Sequence, residues 1–276
     1  MIKIKNDFDL DNTITCGQIF RFEKHDNEYI VILKDRVISL KIDGEYILID
    51  SNKQDNLEEV VKDYLDLDTD YNKIIEEINK KDKKINCNKG LKMIHQYPLE
   101  TIISYIISQN NRVPSITKSL NLISQYGEKV IFKNKTYYLF PSLEDLKKLS
   151  IEDFRNCKVG FRDKYLYNIV NSDLDINKID KMSTIEALDY LMNYKGIGLK
   201  VASCILLFAY KRYDVFPIDT WVKKYMKDEY NIEGEKNIKK FAKEKYGKYS
   251  GLAIQYMFNS KRNMEKEVWL WKQVKY

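Results

Sequence analysis

The chain has 276 residues, 44% of them hydrophobic, which is enough apolar material for one large or two moderate globular domains. Its 47 lysine and arginine residues against 41 aspartate and glutamate residues leave a formal charge of +6, a modest basic excess that suits a polyanionic partner. The four dispersed cysteines and two histidines argue against zinc, a cysteine-bound iron–sulfur cluster and a Ser-His-Asp triad, and no run approaches the ~20 apolar residues of a membrane span.

From Met1 to about Lys92 the apolar residues come in short runs: Ile14-Thr-Cys16, Phe20-Arg-Phe22, Tyr29-Ile-Val-Ile-Leu33, Val37-Ile-Ser-Leu-Lys-Ile42 and Tyr46-Ile-Leu-Ile49. Turn-forming clusters at Lys24–Glu28 and Asp43–Glu45 separate them, so an antiparallel meander and a β-rich N-terminal domain are predicted. Leu57 to Lys84 is charged and helical in period, with Val60, Val61, Tyr64, Leu65 and Leu67 forming an apolar side predicted to pack on that sheet. The polar stretch Asn86–Lys89 is the expected boundary, dividing the chain into residues 1–92 and an all-helical domain, residues 93–276. The fold class expected is therefore α+β.

Pro98 sits at the predicted start of an apolar helix that runs into Gln109-Asn110-Asn111-Arg112, where amides at a helix end can reach bases and backbone. Capping signatures at Ser142 and Ser150 each predict a short helix, and Val159-Gly-Phe161-Arg162-Asp-Lys-Tyr165 follows. The organising stretch is 183–226. Ser183 and Glu186 form a capping box, and Ile185, Leu188, Leu191 and Met192 recur at helical spacing up to Lys195. Gly196-Ile197-Gly198 permits a tight turn, and Val201 to Ala209 resumes as a helix apolar nearly all round. Such a helix-hairpin-helix offers bare backbone N–H groups at a helix N-terminus, a site for phosphate that reads no bases. Lys200 lies just past the hairpin, and Asp219, between Phe216-Pro217-Ile218 and Thr220-Trp221, is the natural N-cap of the next helix. An amine at a phosphate-binding turn with a carboxylate nearby is what nucleophilic attack on a sugar needs.

Lys195-Gly-Ile-Gly-Leu-Lys200, Val201-Ala-Ser-Cys204 and Phe216-Pro-Ile-Asp219 resemble the helix-hairpin-helix/Gly-Pro-Asp superfamily of DNA glycosylases, and within it the 8-oxoguanine DNA glycosylase/lyases. By that resemblance Lys200 is the nucleophile and Asp219 its electrostatic partner, while Gly196 and Gly198 meet phosphate. Cys16-Gly-Gln-Ile-Phe-Arg21 resembles the family segment in which a glycine carbonyl, here that of Gly17, accepts the N7 hydrogen found only on the oxidised base. Asn110 matches an asparagine that faces the cytosine left unpaired, Phe161 a wedge aromatic, and Arg162 an arginine on the unpaired base. Cys204, Pro217 and Phe258 are implied as lesion contacts, with Phe258 stacking on the flipped base. The resemblance departs in three places. The glutamine expected to bond the Watson–Crick edge falls in the column of Ile254, with Gln255 one residue later and about 100° round a helix. Trp221, counted with the DNA contacts, replaces a histidine that touches phosphate, and Ser115 replaces an arginine that helps read the cytosine.

The expected protein is a bifunctional glycosylase/lyase, monomeric and cytoplasmic, acting on duplex DNA with oxidised guanine and needing neither metal nor cofactor. Two rivals follow from the same residues: a glycosylase for another oxidised or alkylated base, and a non-catalytic helix-hairpin-helix DNA-binding module.

Overall fold

The computed structural model describes residues 1–85 and 90–259. The expected boundary at Asn86–Lys89 and residues 260–276 of the second expected domain lie outside the described residues. Strands β1 (Ile2–Lys5), β2 (Phe22–His25), β3 (Glu28–Ile32), β4 (Val37–Asp43) and β5 (Tyr46–Ser51) form one antiparallel sheet in the order β1-β5-β4-β3-β2. Strand alternation places Tyr29, Val31, Ile38, Leu40, Ile47 and Ile49 on one face. Ile30 and Val37 face the other way and are covered by a hairpin from the second half of the chain, β6 (Lys129–Phe132) and β7 (Lys135–Tyr138), through Val130, Phe132, Tyr137 and Leu139. Apolar cover on both sides is why 29–33 reads as an unbroken apolar run.

Two local expectations are corrected. The segment around Ile14 is not a strand but helix α1 (Leu10–Thr15), capped by Asp9, whose carboxylate accepts the Asn12 N–H at 2.9 Å. Leu10, Thr13 and Ile14 share its buried face, so three residues of apparent alternation were a fragment of a helical period. Helix α2 (Leu57–Tyr64) does pack on the sheet, but α3 (Tyr71–Lys81) does not: its Tyr71, Ile74, Ile75 and Ile78 join the core of the helical half. Asp82, just beyond α3, accepts the hydroxyls of Tyr230 (2.8 Å) and Tyr246 (2.5 Å) and pairs with Lys245 (3.0 Å). An amphipathic face states that a helix packs, not against what.

The helical half contains α4 (Pro98–Ser108), α5 (Val113–Ser124), α6 (Leu143–Lys147), α7 (Ile151–Asn156), α8 (Asp163–Val170), α9 (Thr184–Met192), α10 (Leu199–Ala209), α11 (Thr220–Tyr230), α12 (Glu235–Tyr246) and helical residues 250–259. Helix α10 is the axis, with every residue from Val201 to Ala209 buried. Gln18, fully buried, fastens the two halves: Nε2 donates to the carbonyls of Thr13 (3.2 Å) and Lys92 (2.7 Å), and Oε1 accepts the Ile94 N–H (2.8 Å). Among the described residues no helix is long and apolar enough to cross a membrane.

Candidate active site

Helix α9 begins with the reciprocal capping expected: Ser183 N–H donates to Glu186 Oε2 at 2.8 Å, and the Glu186 N–H to Ser183 Oγ at 3.3 Å. The chain turns after Met192 and restarts at Gly198, the N-cap of α10. The two hairpin glycines are needed for different reasons. Gly196 has φ +99°, and a Cβ there would stand 2.8 Å from the Tyr165 ring. A Cβ on Gly198 would meet nothing within 4 Å, so no contact within the described residues requires its bareness; it stands at the N-terminus of α10, where helix N–H groups favour an anion. Gly196→Ala is accordingly expected to destabilise the protein by about 1–3 kcal/mol in urea unfolding. Gly198→Ala should leave the urea midpoint close to the parent and instead weaken duplex DNA binding at fixed salt; equal DNA affinity would show that no phosphate sits there.

Lys200 falls in the first turn of α10, and Asp219 caps α11, accepting the Val222 N–H at 2.7 Å. Two cavities meet at this pair. The inner one, about 280 Å³ and mostly apolar, is walled by Gly17, Tyr105, Cys204, Pro217, Gln255 and Phe258 among others. The outer groove is lined mostly by polar residues and carries Asn110, Gly198, Trp221 and Lys223. Lys200 and Asp219 line both. Residues far apart in the chain thus converge on one apolar chamber, whose mouth holds an amine and a carboxylate and opens on a groove edged by the hairpin.

Inside the chamber Tyr105 lies parallel to Phe208, with centroids 5.4 Å apart, and Lys200 Nζ stands 5.5 Å from its ring. Tyr105 was not among the expected site residues; its signal in the sequence is that it is the one aromatic residue of α4. One turn on from Lys200, burial pushes the Cys204 thiol up to about 11, so at neutral pH it is a thiol and no competing nucleophile. Phe258 meets Trp221 edge-on at 5.0 Å, and Trp221 stacks on Tyr225 at 5.3 Å. Trp221 therefore buttresses the ring of Phe258. Ile254 and Gln255 both reach the chamber, and Gln255, only 7% exposed, places Nε2 at 3.2 Å from Cys16 Sγ.

The asparagine turn follows α4, with Asn110 exposed and at φ +47°. Gln109 Nε2 donates to the Gly196 carbonyl at 2.9 Å, joining this turn to the hairpin. Arg162 is 5% exposed, and its guanidinium donates to the carbonyls of Val159 (2.9 Å), Asn110 (3.2 Å) and Gln109. It braces the asparagine turn from behind. Phe161 beside it is 60% exposed, with its ring centroid 4.3 Å from the Arg162 guanidinium carbon, leaving an apolar plane in solvent next to the groove. Among the described residues no cluster of His, Cys, Asp or Glu could hold a metal ion.

Residues 1–102 match the family described as 8-oxoguanine DNA glycosylase, N-terminal domain. The fold resembles that of the Clostridium acetobutylicum 8-oxoguanine glycosylase/lyase in complex with duplex DNA containing cytosine opposite 8-oxoG, at 36% identity and TM-score 0.89, covering 95% of this chain and 94% of that one. It is likewise similar to MBOgg1 in complex with a low-affinity DNA ligand, at 34% identity and TM-score 0.90, covering 95% and 96%. A probable N-glycosylase/DNA lyase of Methanothermobacter thermautotrophicus is 30% identical over 204 residues, 64% of this chain, and the chain spans 65% of that relative's length.

Proposed function

The chain belongs to the 8-oxoguanine DNA glycosylase/lyase family, and on that premise we propose that it excises 8-oxoguanine from duplex DNA and cleaves the strand at the resulting site. The observation that carries this reading is the position of Lys200 and Asp219 at the junction of the apolar chamber and the polar groove. A base inside a duplex is out of reach, so the nucleotide must swing out, at a cost of a few kcal/mol. The chamber takes the base between Cys204 and Phe258, the groove takes the backbone, and the sugar C1′ comes to rest at the amine. Lys200 Nζ bonds to C1′ as the glycosidic bond breaks and the base leaves with its electron pair, to be protonated on departure. Asp219 stabilises the positive charge that develops on the sugar. Ring opening gives an imine between Nζ and C1′; loss of a C2′ proton then expels the 3′ phosphate. We propose further that the protein acts as a monomer, with Phe161 wedging into the stack and Asn110 facing the unpaired base.

Trapping with borohydride on a panel of lesion duplexes tests the reading, because an imine is reducible to a permanent bond. A covalent adduct with 8-oxoguanine DNA and none with alkylated purines is expected. Binding with neither excision nor adduct would leave only a DNA-binding module, and excision without adduct would remove the lysine from the chemistry.

The base opposite the lesion supplies a further expectation. Ser115 is exposed in the first turn of α5, with its N–H bonded to the Arg112 carbonyl at 2.9 Å, and its short hydroxyl cannot span the gap an arginine would. Preference for cytosine over adenine opposite 8-oxoguanine should therefore be weak. Ser115→Arg should raise it by roughly tenfold or more, the scale of an added bidentate donor. Excision rates on duplexes differing only at that base decide the matter; strong cytosine preference in the parent, unchanged by the arginine, would assign the readout to Asn110, Arg162 or another group.

A further inference from the structure

Among the described residues the one side-chain amide on the wall of the base chamber, that of Gln255, is oriented by a contact reaching across the protein. Its Nε2 lies 3.2 Å from the sulfur of Cys16, a residue 1% exposed at the C-cap of α1, immediately before Gly17. The thiol donates to the Thr13 carbonyl, 3.7 Å away. Toward Gln255 the sulfur therefore offers lone pairs, which attract an NH₂ and repel a carbonyl oxygen. With Nε2 held at the sulfur, Oε1 is left without a hydrogen-bond partner among the described residues and belongs to a side chain lining the chamber.

We propose that Cys16 is a specificity-positioning residue: it locks the Gln255 amide so that this side chain presents an acceptor, and only an acceptor, to the Watson–Crick edge of the flipped base. This inference rests on the proposed excision of oxidised purines. A guanine-type edge carries N–H donors at N1 and N2 and satisfies such an acceptor. An adenine-type edge has its one amino donor at N6, and at the N1 and C2 positions, where guanine carries its two donors, it offers a lone pair and a C–H to that oxygen. The locked amide thereby selects oxidised guanine over oxidised adenine, although the two share the same five-membered ring and the same N7 hydrogen. An amide free to turn over could serve either edge. The displacement of the glutamine by one residue from its expected column is compensated by the thiol, which holds an off-register side chain in a usable orientation.

Single-turnover excision of 8-oxoguanine and of 8-oxoadenine opposite the same base tests this, each rate divided by the borohydride-trapping rate of the same variant on abasic-site DNA, which has no base edge to read. Gln255→Leu should lower the normalised 8-oxoguanine rate by roughly 10- to 100-fold, as expected when a buried donor on the base loses its acceptor. Cys16→Ala should narrow the ratio of 8-oxoguanine to 8-oxoadenine by roughly tenfold. Cys16→Ser, whose hydroxyl can donate to Thr13 and still accept from Nε2, should restore it. A normalised Gln255→Leu rate equal to the parent's, or a base ratio unmoved in Cys16→Ala, overturns the inference. Failure of the parent protein to excise 8-oxoguanine while still trapping on abasic sites would instead remove the proposed substrate, and the inference with it.

Discussion

Lys200→Gln is expected to give no covalent adduct with 8-oxoguanine DNA under borohydride and to lose excision by about 10⁴-fold or more, the scale seen when a covalent nucleophile is deleted. The loss should be one of chemistry alone. Lys200 lies in the first turn of α10, where a cation works against the helix dipole, so removing the charge does not weaken the helix. Glutamine retains the first two of the four methylenes of the stem that the lysine carries past the Tyr105 ring. A thermal midpoint at or slightly above the parent's, DNA binding preserved and trapping abolished is the combined result expected. An adduct that persists in Lys200→Gln would place the nucleophile on another residue and undo the assignment.

Asp219 should divide into two roles that substitution can separate. Its carboxylate accepts the Val222 N–H at 2.7 Å and so caps α11. Asparagine caps a helix about as well as aspartate, so Asp219→Asn should melt with the parent protein. What it lacks is the negative charge facing the sugar as the glycosidic bond breaks, and turnover should fall roughly 10²–10³-fold. Asp219→Ala should lose the cap as well, at about 0.5–2 kcal/mol, with turnover no higher than in the asparagine variant. Asparagine turning over like the parent would reduce Asp219 to a cap.

Much of this site was legible in the sequence because its parts are short-range. The capping boxes at Ser150 and Ser183, the N-cap at Asp219 and the turn at Gly196-Ile197-Gly198 are each closed by bonds between residues a few positions apart. The same locality explains the error at α1. The helical signal lies in Asp9 and the buried face of Leu10, Thr13 and Ile14, and the three residues Ile14-Thr-Cys16 alone do not contain it.

Other parts could not be read in that way. Nothing in α3 says that its apolar face belongs to the helical core, nor in 129–138 that this hairpin covers the far side of a sheet formed a hundred residues earlier. Nor does the sequence around Arg162 say that its guanidinium bonds the carbonyls of Val159 and of the asparagine turn, which only packing brings within its reach.

By itself, then, the sequence determined strands β3 to β5, the helices on either side of the hairpin with their caps, and the chemical types at the mouth of the chamber, since backbone hydrogen bonding and side-chain period act over a few residues. The tertiary structure alone decided which faces met. Gln18 tying residue 13 to residues 92 and 94, Gln109 on the hairpin carbonyl and Gln255 on Cys16 are contacts between side chains and groups distant in the chain. Their partners are fixed by how buried surfaces pack, and a buried amide takes whichever donor or acceptor the packing brings to it.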